Sequence, residues 1–108
     1  MIENAIIKST KLGYEDHHIF TCQLFIEGSS WGCSFGGYAL IGRDGAETFD
    51  VIAKMLDTFE VDNWEDLSGK LIRVEYDRLC HPIKRIGHIM KDKWFSFQEY
   101  FDSKNSTF

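Results

Sequence analysis

The feature that most constrains this chain is a change of hydrophobic period around residues 42–47, GRDGAE. On either side of the helical segment that follows, apolar and polar residues alternate as they do along strands. After the change, Phe49, Ile52, Ala53, Leu56 and Phe59 recur at helical spacing, widened by Val51 and Met55. Glu47, Asp50, Lys54, Asp57 and Thr58 supply the wet side of this segment. Asp44 with Glu47 three residues on reads as a capping box, so the spacing predicts one amphipathic helix over 44–60. A single long helix between two groups of strands implies a two-layer α+β domain.

Residues 4–12, NAIIKSTKL, read as a first strand, rich in β-branched side chains. Residues 17–27, HHIFTCQLFIE, read as a second, with His18, Phe20, Cys22, Leu24 and Ile26 directed inward. SSWGCSFGGYAL, residues 29–40, completes a three-stranded meander. Beyond the helix, DNWEDLSG gives one extra helical turn capped by Asn63 and stopped by Gly69, with Trp64 and Leu67 inward. KLIRVEYDRL, residues 70–79, alternates most clearly; CHPIK turns the chain, and IKRIGHIM returns with Ile86, His88 and Met90 on one face. KDKWFSFQEYF ends in an aromatic cap. The expected order is βββ-α-ββ: a mainly antiparallel five-stranded sheet with one long helix packed on one face. One domain over 1–102 and a flexible tail over 103–108 are expected, and the strand order is left open.

The sheet face turned from the helix would carry Ile19, Thr21, Gln23, Phe25, Arg73, Glu75, Asp77 and Arg85. Either Trp31 and Phe35 or Tyr38 would join it, giving a mixed aromatic and charged patch of the kind interfaces favour. The alternative is that the C-terminal aromatic segment folds over this face.

Charge and motifs narrow the chemistry. The net charge is −5, with eight carboxylates between Asp44 and Asp66 against Lys54 alone. A face this acidic can steer toward a basic partner. No dominant basic footprint points to nucleic acid. No apolar run approaches the roughly 20 residues that span a bilayer. The N-terminus lacks the pattern of a secretory leader, so a cytoplasmic location is expected. Cys22, Cys33 and Cys80 are scattered, as reduced thiols are, with no C-x-x-C pair. Gly32, Gly36 and Gly37 match neither phosphate-loop pattern, because more strand follows them. No histidine is tied by spacing to Cys33 as a base. His17 and His18 are adjacent, hence on opposite sides of a strand, and neither they, His81 nor His88 form a metal-ligand spacing.

Three stretches taken together, FGGYAL, NWEDLSGKLIRVEYD and RIGHIMKDKWFSF, resemble a family of small single-domain proteins encoded by bacteriophages, prophages and other mobile elements. The likeness runs from NAIIKSTKLG to Phe97. It implies a phage or prophage product in a bacterial cytoplasm and brings no catalytic residue with it. Small acidic phage proteins often bind and block a host factor, CRISPR inhibitors among them. The expected function is therefore a non-enzymatic binding protein acting on a host protein, an inhibitor of anti-phage defence. The candidate protein-binding residues are Glu47, Asp50, Asp57, Glu60, Trp31, Phe35 and Tyr38. The alternative is a small-molecule or nucleotide site built from Gly36, Gly37, Tyr38, His88 and Trp94. No cofactor, metal, membrane or nucleic acid is expected, and homo-oligomerisation is left open.

Overall fold

The computed structural model describes residues 1–14, 18, 20–36, 45–78 and 82–105. Its strands are β1 (Ile2–Tyr14), β2 (Phe20–Glu27), β3 (Gly32–Gly36), β4 (Leu71–Glu75), β5 (Arg85–His88) and β6 (Trp94–Phe95). Helix α1 spans Gly45–Phe59, a 3-10 turn spans Trp64–Leu67, and α2 spans Phe97–Asn105. The sheet runs β3-β2-β1-β4-β5-β6 with every neighbouring pair antiparallel.

This is the expected α+β architecture with one strand and one helix more than the sequence indicated. The added elements share one origin. The chain turns through Met90–Lys93 and lays Trp94 and Phe95 against Gly87 and Ile86. Ser96 then accepts a hydrogen bond from the Glu99 amide at 3.3 Å, the N-cap that starts α2. Because α2 continues to Asn105, the boundary expected at 102–103 falls inside a helix. Asp44, His17, Ile19, Gly37, Tyr38, Cys80 and His81 lie outside the described residues.

β1 is longer than expected because it serves two partners. Ile2–Ile6 pair with β4, and Ile6–Tyr14 pair with β2 across a register shift between Ile7 and Ser9. Its inward residues, Ala5 and Ile7, join Leu24, Ile26, Ile72, Val74 and Ile86 in one buried layer, met by Val51, Met55 and Phe59 of α1. The helix is rotated from its expected stripe: Thr48 and Thr58 are buried while Phe49 is 71% exposed. Thr58 makes this inexpensive, since its hydroxyl donates to the Lys54 carbonyl at 2.8 Å within the helix. Other strand expectations also fail: His18, expected inward, is exposed, and Thr21, expected outward, is buried. Phe20 is exposed at the far end of the β1–β2 ribbon, edge-on to Tyr14, and Met90 lies past the end of β5.

The sheet curls until its edge strands approach. Phe35 on β3 and Phe95 on β6 have ring centroids 6.3 Å apart, and Phe97, Tyr100 and Phe101 extend the cluster. Tyr100 donates to Asp50 Oδ2 at 2.7 Å, tying α2 to α1. From Phe95 onward the C-terminal aromatic segment therefore packs on the side that α1 already covers, and no described helix covers the opposite face.

Candidate functional site

The strand registers define the surface of that opposite face. Glu27, Ile6 and Leu71 form one row across β2, β1 and β4. Asn4, Arg73, Gly87 and Trp94 form the next, across β1, β4, β5 and β6. Ile2, Glu75 and Arg85 form a third. Phe25 stands beside Ser9 and Ser34 on the same face. Three apolar side chains are open to solvent here: Leu71 at 59%, Ile2 at 55% and Phe25 at 37%.

Trp94 lies flat on Gly87, where a Cβ would meet the indole at 2.5 Å, so a glycine is required beneath the ring. The guanidinium carbons of Arg85 and Arg73 stand 4.1 and 4.6 Å from the ring centroid, both within cation–π range. The indole N–H donates to Asp92 Oδ1 at 3.0 Å. The two arginines differ in their partners. Arg85 Nε donates to Glu75 Oε1 at 2.5 Å, so its charge is matched on the spot. Arg73 donates from Nε to the His88 carbonyl and from Nη2 to the Lys91 carbonyl, each at 2.7 Å. Its hydrogen bonds orient it without neutralising it.

Comparison of the chain with protein-family models, curated proteins and solved structures gives no match.

The residues singled out in the sequence are dispersed rather than gathered. Phe35 is 5% exposed, since it pairs with Leu24 on the covered face. Trp31 lies half-buried at the rim of the same face, against Tyr76, and its indole donates to Glu3 Oε1 at 2.8 Å. Neither joins the open face, which corrects the placement considered for them. Tyr76 also donates to Glu3, and these two hydrogen bonds hold the Glu3 carboxyl below the usual range. On α1, Asp50 receives Tyr100, Glu47 is half-buried and Asp57 is exposed. Glu60 is engaged by Lys91 at 2.8 Å and Lys93 at 3.1 Å, whose hydrogen bonds pull its carboxyl down to about 2. Part of the acidic helix is thus answered within the molecule.

The alternative ligand set does not converge. His88 pairs with Ile72 on the covered face, whereas Trp94 pairs with Gly87 on the open one. Gly36 has φ +108°, and a Cβ there would meet the Cys22 carbonyl oxygen at 2.4 Å. Close approach of β2 accounts for this glycine without a ligand. Gly36 also borders a cleft of about 570 Å³ with Ser34, Lys84, Phe97 and Gln98. Cys33 is half-buried, and burial pushes its thiol up, away from nucleophilic use. Among the described residues no group of three or more His, Cys, Asp or Glu side chains could hold a metal, and no helix is long and apolar enough to cross a membrane.

Sequence reasoning identified Arg73, Glu75, Arg85 and Phe25 as outward but missed Trp94, which Arg73 and Arg85 flank. The usable signal was Gly87, a lone glycine inside a strand, which marks close approach by another group.

Proposed function

We propose that this chain is a non-catalytic binding protein that acts on a host protein in the bacterial cytoplasm, with the open sheet face as its contact surface. A phage- or prophage-encoded inhibitor of host defence is the setting the sequence resemblance supplies. The observation that carries the reading is one uncovered face combining Ile2, Phe25 and Leu71 with a tryptophan flanked by two arginines. Buried contact centres are rich in tryptophan and arginine. Among the described residues no carboxylate pairs with Arg73 beside Trp94, so the fitting partner presents a carboxylate there and apolar side chains toward Phe25 and Leu71.

The test is capture from host lysate with the immobilised chain. A single defined protein should be retained by the native chain and by Asp57→Lys, and lost with Leu71→Asp or Arg73→Glu. The opposite pattern would move the contact to α1. The cleft beside Gly36 favours a second reading, a small-molecule or nucleotide site, since its volume falls within the range of ligand pockets. That reading requires a thermal shift with a nucleotide or metabolite library that Ser34→Trp abolishes.

A further inference from the structure

His88 closes β5, and the turn that follows carries the chain to β6. Its Nδ1 accepts two backbone hydrogen bonds, from the Met90 amide at 3.1 Å and the Lys91 amide at 3.0 Å. A ring nitrogen that receives two N–H groups carries no proton, so the neutral ring holds its proton on Nε2. Nε2 faces Glu60 Oε1 at 3.6 Å. The same turn supplies the carbonyls of His88 and Lys91 that orient Arg73 beside Trp94. The imidazole therefore adds to the backbone bonds that close the turn, His88 N–H to the Lys93 carbonyl at 2.9 Å and Lys93 N–H to the Lys91 carbonyl at 2.8 Å, and the turn holds the charged flank of the open face.

We infer that His88 is a pH-operated clasp on this turn, and through the Lys91 carbonyl on the Arg73–Trp94 contact. Protonation at Nδ1 converts the acceptor into a donor that faces two other donors, so both turn amides lose their partner. The proton goes onto a nitrogen lone pair and no covalent bond breaks. The charged groups facing the ring pull in both directions. Glu60, from the end of α1, favours the imidazolium, while Lys91 and Lys93, which share that carboxylate, oppose it. Arg73, from β4, bonds the His88 carbonyl and adds a further positive charge nearby. Neutral His88 keeps the turn closed and Arg73 in place. Charged His88 opens the turn and loosens the patch. This deepens the binding reading by adding control of the same face, but it is measured on the free chain and so stands or falls apart from any capture experiment.

The decisive experiment follows ring and amide signals by nuclear magnetic resonance from about pH 8 to about pH 5, where an imidazole changes charge. At the upper end the His88 nitrogen shifts should report the Nε2–H tautomer. As the ring protonates, the protection of the Met90 and Lys91 amides, taken against the intrinsic exchange rate at each pH, should fall about tenfold, the loss expected for one hydrogen bond. The Trp94 indole N–H should shift with the same midpoint. His88→Gln, whose amide oxygen accepts without titrating, should keep the turn closed throughout. An Nδ1–H tautomer, ring titration with silent amides, or the same transition in His88→Gln would each overturn the clasp.

Discussion

The covered and open faces of the sheet are built from the same strands, yet adjacent residues meet opposite fates. Ile72 is fully buried and Leu71 beside it is 59% exposed; Ile26 is buried and Phe25 is not. The described helices lie on one side, so each strand residue alternates between them and the opposite face. Burying a large apolar side chain contributes roughly 1.5–3 kcal/mol, so the covered face holds the fold together. The open face mixes charged and polar residues with Ile2, Phe25 and Leu71, apolar side chains placed where folding gains little from them. Apolar residues that folding does not use are the strongest indication that something else does.

Truncation separates the two faces most clearly. Ile72→Ala or Leu24→Ala should cost about 2–5 kcal/mol in urea unfolding, the range for cavity-forming substitutions. Leu71→Ala should stay within about 0.5 kcal/mol. An equal loss at Leu71 would mean that the open face is covered after all. Gly36→Ala ranks next, at roughly 1–3 kcal/mol, because a left-handed backbone and the Cys22 carbonyl both resist a Cβ. Gly45→Ala, where a Cβ meets nothing within 4 Å, should cost nothing measurable by the same unfolding assay.

The sequence anticipated the covered face better than the open one. Strict alternation in LIRVE and CQLFI placed Ile72, Val74, Cys22, Leu24 and Ile26 inward, and one side chain per position was enough information. The orientation of α1 was less legible, because a hydrophobicity count weights Phe49 above Thr48 and Thr58. The helix settles instead against Phe95 and Tyr100, whose positions depend on β6 and α2. Those elements were themselves hard to see: β6 pairs through two residues, and the Ser96–Glu99 cap was not recognised as a helix start. Strand order was out of reach, since the β1–β4 pairing joins residues some seventy apart in sequence. The Trp94 patch inherits that difficulty, as it needs β4, β5 and β6 in register.

A smaller and more diagnostic effect separates two carboxylates. Glu3 sits at the rim of the covered face, under Trp31 and Tyr76, and Glu60 lies at the surface among lysines. Both have lowered folded-state values, so each contributes stability that is complete above the ordinary carboxylate range and is lost as pH falls. For Glu60 the loss runs from about 4.5 down to about 2. Thermal melts below pH 4.5 should therefore fall less steeply for Glu60→Gln and for Glu3→Gln than for the native chain. In about 0.5 M salt, where charges screen within a few ångströms, the Glu60 contribution should fade. The Glu3 contribution, made by uncharged donors, should persist. A salt-sensitive Glu3 would show that the rim is wetter than its hydrogen bonds indicate.

On the open face, Leu71→Asp should leave stability nearly unchanged and Arg85→Gln should change it modestly. Leu71 already faces water, so a carboxylate there is solvated in the folded and unfolded chain alike, and the melting temperature should hold. Arg85→Gln removes one cation–π contact, worth about 0.5–1 kcal/mol, together with the Arg85–Glu75 ion pair, and leaves Arg73 beside the indole. The effect on binding should be inverse in size. A partner that seats apolar side chains on Leu71 would have to bury the new carboxylate, and one that brings its own carboxylate to Arg73 would meet a like charge nearby. Loss of capture at an unchanged melting temperature is the combination that a contact surface produces and a structural face does not. If Leu71→Asp leaves both quantities untouched, the apolar residues of the open face are incidental, and the difference between the two faces reduces to burial alone.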